Sequence, residues 1–430
     1  MSPARSISWR WLSAVCSAVD TRRISSEKFP QGNVYNGEIA NKNIGTPMQV
    51  PLPAPGVRLM IKRKKVPFGL WPTREIDSGN FSLQPLLFAL DPWAMIKRAI
   101  EEKCPLACQP EAFAYIAQAE DFYAVAVEKS RIAARPLSVY YCFMNLVKAF
   151  CLTRRTRPNF DKAQHGLSEQ LGPGGRELTD AFLDAYPSPN SKHQLQNFSE
   201  FLNALTGNHL PSATRFEMPK LLPQILPGHR LWAHAVNKKE RFLAFHDIQF
   251  WANSAAHEMW VRLYVVAEDL SRIGVTNREF LAQSGLGVDF AQVKVSDLTS
   301  DGRKVICFEQ VLKKKYNTSK PGNELTKLLV NPLRHKLWTT VASVPPYRRF
   351  YAYICPPSEV AAVLPQLAAV YAASYYLGSI TRYRPHHFDK LVKSAFGPRI
   401  QDFVTGQPQQ FLYLMASEFA QQDIAKPSII

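Results

Sequence analysis

Residues Arg135-Pro136-Leu137-Ser138-Val139-Tyr140-Tyr141-Cys142-Phe143-Met144-Asn145-Leu146-Val147-Lys148-Ala149-Phe150 decide how this chain folds. The stretch is apolar on nearly every face, which marks a helix at the centre of a bundle. Pro136 suits a first helical turn, where its missing N–H costs no hydrogen bond. Between Pro136 and Leu152 only Ser138, Asn145 and Lys148 are polar. Asn145 and Lys148 are three residues apart and so lie on one side of the helix. A buried amide or ammonium is costly without a partner. Other parts of the chain must therefore supply partners for this pair.

Several short blocks surround that helix. Asp121-Phe122-Tyr123, Arg135-Pro136-Leu137 with Tyr140-Tyr141, Asn145-Leu146-Val147-Lys148-Ala149 and His165-Gly166-Leu167 come first. Ser379-Ile380-Thr381-Arg382-Tyr383-Arg384-Pro385 follows near the other end. In order and spacing they resemble the YaaC-like family, over roughly residues 85–425. The resemblance implies a bacterial architecture and leaves the reaction open.

A chain of 430 residues can bury a large core and hold two or three subdomains. Hydrophobic residues at 46% and charged residues at 20% are ordinary for a globular protein. The charge balance is not. With 52 basic against 35 acidic residues the net charge is +17. Such a surplus favours polyanionic partners, RNA or DNA first and an anionic membrane surface second. It is unevenly spread: residues 1–74 carry 12 Lys/Arg and three acids, or +9, which leaves +8 for the rest.

Seven cysteines, an odd number without a Cys-x-x-Cys pair, point to a reducing, cytoplasmic setting. Cys104 and Cys108 resemble half of a metal site, but no second half follows. Cys142 and Cys151 read as small buried hydrophobes. No cofactor and no metal are inferred.

Residues 1–77 read as a flexible basic leader, with Pro47, Pro51, Pro53 and Pro55 and the charge run Lys62-Arg63-Lys64-Lys65. Residues 78–172 read as the N-terminal helical part of a bundle. Asp91-Pro92 places an N-cap acid before a first-turn proline, opening a helix to about Lys103. A second helix is expected over 111–134. Residues 173–356 read as a mixed insertion, helical over 177–206 and then stranded. Trp260–Val266, Lys304–Glu309 and Arg349–Ile354 have the composition of strands, and Asp301-Gly302 suits a hairpin turn. Residues 357–430 read as helical again, restarting at Pro365 and at Pro385. The uncharged run from Val360 to Thr381 is long enough for a bilayer, but its Pro, Gly, Ser and Ala content favours a buried bundle helix, so no membrane span is expected. The fold class is therefore α+β: a predominantly helical bundle from both ends, with a small, mainly antiparallel sheet in an insertion.

Helices on either side of an insertion commonly close into one bundle. That would bring Asn145, Lys148 and His165 toward Arg382, Arg384, His386 and His387. One reading of this set is structural, since cations at a helix C-terminus are favoured by its exposed carbonyls. A second is an intracellular binding or scaffold protein acting with nucleic acid through Lys148, His165, Arg384 and His386. The basic groups Arg154/Arg155/Arg157 and Lys313-Lys314-Lys315 lie among aromatics in a way that suits phosphate contacts. The third is a metal-independent endoribonuclease. The helical part has a partial similarity to the HEPN superfamily, which implies an Arg and a His near a helix start acting on RNA. Arg382 and His387 would take those roles, with Asn145 as the polar residue on a preceding helix. Among other motifs, His246-Asp247 and His257-Glu258 miss the His-Glu-x-x-His spacing, and Gly172-Pro173-Gly174-Gly175 lacks the Gly-Lys-Ser/Thr of a phosphate loop.

Overall fold

The computed structural model describes residues 50–61, 63–71, 86–171, 178–316 and 323–428. Val50–Ile430 form one compact unit. Of the expected leader, residues 1–49, Lys62 and residues 72–77 lie outside the described residues, as does the glycine-rich run 172–175.

The central helix runs Arg135–Thr153 with Pro136 in its first turn. Phe143, Leu146, Val147, Phe150, Cys151 and Leu152 have no exposed surface, as the all-round apolar pattern requires. Before it stands a flanking helix, Gln109–Ala124. This ends earlier than the composition suggests and passes into a π-helical turn, Val125–Lys129. The opening helix, Pro92–Lys103, is capped by Asp91, whose carboxylate accepts from the N–H groups of Trp93 and Ala94.

From the far end come a return helix, Gln366–Tyr383, a short helix, Pro385–Lys393, and a terminal helix, Gly397–Ala420. The return and terminal helices both pack on the central one. Phe143 stacks on Phe411 with ring centroids 3.9 Å apart. Where the return helix crosses, the contact residue is Gly378. A Cβ placed there would lie 2.9 Å from the Tyr140 Cβ and 3.4 Å from the Pro136 carbonyl oxygen. Glycine is what lets the two backbones come this close.

Strands are more widespread than one insertion. The chain is mixed α and β, about 46% helix and 21% strand, and the described residues form six sheets. The largest is antiparallel and runs Val57–Arg58, Asp247–Asn253, Glu258–Val266, Val305–Gln310, Phe290–Val293, with Lys314–Lys315 also on the third of these. It covers a second core that includes Phe250, Leu263, Phe280 and Phe308. A three-stranded sheet joins Phe242–Ala244, Arg348–Tyr353 and Leu337–Val341. Another joins Leu167–Leu171, Ala181–Ala185 and Thr214–Glu217, and packs on the helical core.

Three expectations change here. The description of a predominantly helical bundle gives way to the mixed architecture. Residues 177–206 hold a strand and a short bridge strand before the helix Asn197–Thr206 begins. The folded unit starts upstream of residue 78, because Val57–Arg58 pairs with Ala252 and Trp251. All three errors have one cause: strands of two to five residues carry too little alternation to read, and their partners are far away in sequence.

No helix among the described residues is long and apolar enough to cross a membrane. One core histidine sets a pH limit. His229 is buried, its Nδ1 donates to the Pro223 carbonyl at 3.0 Å, and its Nε2 accepts the Arg241 N–H at 2.6 Å. Burial, helped by Arg399 and Arg241, pushes its pKa down to about 3.

Two predictions follow from this packing. Gly378→Ala gains helix propensity of about 1 kcal/mol but overpacks the crossing, so a net loss of about 1–2 kcal/mol is expected. Gly406→Ala, where an added Cβ meets nothing within 4 Å, is the control and is expected to stabilise. Urea midpoints for both variants decide; equal gains would remove the close crossing from the account. The second concerns acid. His229 takes up its proton near pH 6.5 when unfolded but only near pH 3 when folded. Protons therefore favour the unfolded chain between these values, and stability falls as pH drops below about 6.5. The cost at pH 5 is about 2 kcal/mol. Denaturation at pH 7 and pH 5 should show a smaller pH effect in His229→Gln than in the parent; identical pH effects would rule His229 out as the cause.

Candidate functional site

The polar pair of the central helix finds its partners close by. Asn145 is buried, and its Nδ2 donates to Gln118 Oε1 at 3.3 Å. The Lys148 ammonium stands 4.9 Å from the centroid of the Tyr115 ring, a cation–π contact. Both partners belong to the flanking helix. Burial lowers the Lys148 pKa, and the Glu111 carboxylate opposes that shift. Glu111 is itself fixed by the Phe160 N–H at 3.0 Å.

His165 follows the central helix in the chain and returns to it. Gly166 makes the turn with φ +76°, and a Cβ there would lie 2.9 Å from the Phe198 nitrogen. The Tyr140 hydroxyl lies 2.5 Å from His165 Nδ1. Burial raises the Tyr140 pKa, so the hydroxyl keeps its proton. Tyr140 and His165 Nδ1 share one hydrogen bond, which leaves Nε2 as the ring nitrogen facing away from Tyr140. The His165 pKa is lowered by burial first, then by Lys148 and Arg382. Two cations more than two hundred residues apart in sequence thus act on one neutral ring. Arg382 comes from the last turn of the return helix. It donates to the Tyr141 hydroxyl at 3.0 Å and lies 5.0 Å from the Tyr383 ring.

Arg384 takes a different path. Its guanidinium pairs with Glu169, a buried carboxylate that also accepts from Ser379 Oγ at 3.3 Å. Burial, and then the same carboxylate, push the Tyr375 hydroxyl up to about 12. His386 and His387 meet edge to face at 4.5 Å. The His387 pKa is lowered by burial, then by His386, Arg384 and Lys390, and raised by Glu169. So Arg382 is tied to Tyr141 and acts on His165, while His387 answers to Arg384 and His386.

The site therefore holds Tyr140, Tyr141, Lys148, His165 and Arg382, with Arg384 and Glu169 behind it. Glu169 is not evident from any motif. The signal for it was alternation: Leu167, Glu169 and Leu171 share one face of a strand, and an acid on an inward face needs a cation. Of the basic groups, Arg154 pairs with Glu418 at 3.8 Å and Arg157 with Glu200 at 3.0 Å. Lys64 and Lys65 are exposed in a short hairpin, and the Lys313 ammonium lies 4.8 Å from the Trp260 ring centroid.

Comparison with known proteins returns one family. No curated protein and no solved structure matches significantly. A family model described as YaaC-like Protein matches residues 87–419, a span that contains both helices of the crossing and every residue of the site. The chain belongs to the YaaC-like family.

Proposed function

We propose that this protein binds nucleic acid and that Lys148, His165 and Arg382 hold a phosphate of a single RNA strand. The observation that carries the reading is the meeting of opposite ends of the chain at neighbouring tyrosines: His165 lies 2.5 Å from the Tyr140 hydroxyl and Arg382 donates to Tyr141 at 3.0 Å, while Lys148 and Arg382 both lower the His165 pKa. That arrangement presents two cationic donor groups. A guanidinium binds phosphate oxygens through paired N–H groups, an ammonium adds a point charge, and His165 adds the ring nitrogen that faces away from Tyr140. Tyr141 keeps the Arg382 guanidinium in place, and half-exposed tyrosines 141 and 375 offer rings on which a base can stack. The positive net charge adds long-range attraction.

A second reading, metal-independent RNA cleavage, rests on His387. Its lowered pKa keeps it neutral and able to accept a proton near pH 7. Arg382 would steady the phosphate, and Asn145 would support the central helix from inside.

One set of titrations tests both readings. Anisotropy of a labelled single-stranded RNA is followed across a salt series for the parent, Arg382→Ala, Lys148→Met and His165→Ala. Loss of one phosphate contact is expected to lower affinity about tenfold; loss of Arg382 or Lys148 should also flatten the salt slope by about 0.7, whereas loss of the neutral His165 should leave the slope unchanged. Unchanged affinity and slope in all three variants would falsify the binding site. The same RNA, examined for cleavage, separates the second reading: products that vanish in His387→Ala but persist in His165→Ala favour the nuclease.

A further inference from the structure

A cleft of about 500 Å³ opens on the sheet side of the molecule, against the core that does not contain the central helix. Its size falls within the range of small-molecule sites, about 300–1,000 Å³. Phe68, Phe245 and Phe350 line it, with Phe68 and Phe350 edge to face at 5.1 Å. Arg58 and Arg349 line it as well.

The charges of this cleft do not cancel. Asp247 accepts from the Ile248 N–H at 2.8 Å and from Gln249 Nε2 at 2.7 Å, and it pairs with Arg58 at 3.3 Å. Asp269 pairs with Arg272 at 3.5 Å. Arg303 is held by Asp301 at 2.8 Å, and Arg348 is paired with buried Asp423. Each acid thus has a cation of its own. Arg349 is exposed and has no partner among the described residues. Arg58 lines the same cleft, 24% exposed, with its guanidinium already paired with Asp247. One guanidinium, that of Arg349, is left unpaired beside an aromatic-lined cleft.

We propose that this cleft binds a nucleoside monophosphate or a close organic phosphate. The phosphate would take its paired hydrogen bonds from the unpaired Arg349 guanidinium, with the Arg58–Asp247 pair beside it. The planar base would lie against Phe68, Phe245 and Phe350. The site is separate from the one built around His165 and does not depend on it.

Calorimetric titration of the full chain with AMP tests this, with adenosine and inorganic phosphate as the two half-ligands. AMP is expected to bind, with each half-ligand at least about tenfold weaker. Arg349→Glu should weaken AMP about tenfold or more, and Arg349→Lys should recover part of that loss. The exposed position of Arg349 predicts an unchanged melting temperature in both variants. His165→Ala should bind AMP as the parent does. No saturable AMP binding up to about 1 mM, phosphate binding as tightly as AMP, or an Arg349→Glu chain that binds AMP normally would each overturn the proposal.

Discussion

The close crossing of the central and return helices at Gly378 is the constraint on which the rest depends. A helix that is apolar on every face has to be covered on every face. Here the flanking helix covers one side, and the return and terminal helices cover others. The coverage joins segments from opposite ends of the chain. With glycine at the contact, the Tyr140 Cβ meets backbone rather than another side chain. The Tyr140 hydroxyl is then free to meet His165, and the end of the return helix arrives where Arg382 meets Tyr141.

Electrostatics inside this protein follow one pattern, with exceptions at the site. Buried charge is generally paired. Arg262 and Glu309 face each other across adjacent strands at 2.6 Å, with Trp251 stacked on the guanidinium at 3.6 Å. Arg348 meets Asp423 and Ser417. Such pairs offset the large cost of desolvation, though they add little net stability. Around His165 the pattern differs. Lys148 and Arg382 act on the ring together; Glu169 is committed to Arg384, while Glu111, held by the Phe160 N–H, acts on Lys148 alone. Surplus donor capacity at a half-exposed position is what suits an anionic ligand, since solvent or ligand can reach it.

Much of the helical part was legible. Asp91 and Pro92 mark a helix start, Pro136 another, and Pro385 a third, and each lies in a helix cap or first turn. The strands of the large sheet with β-branched and aromatic residues were legible too. What escaped reading were the short strands with ordinary composition. Ala181–Ala185, Ala-Phe-Leu-Asp-Ala, reads equally well as helix, and its state is set by pairing with Leu167–Leu171 and Thr214–Glu217. At the site, the demand of Asn145 and Lys148 for partners was visible, but the partners were not those anticipated. Gln118 and Tyr115 lie only about thirty residues upstream, whereas Arg382 reaches the site through Tyr141.

Burial of an all-apolar helix, the starts of the principal helices, and the need of a polar pair for partners can all be read from the residues alone. These are local properties, fixed by side-chain chemistry and backbone geometry over a few residues. Only the tertiary structure decided which distant groups share a neighbourhood. Glu169 takes Arg384, Tyr140 takes His165, and Arg382 acts on the same ring as Lys148. Such choices depend on how closely backbones pack and on which strand pairs with which, and both are set by contacts far apart in the chain.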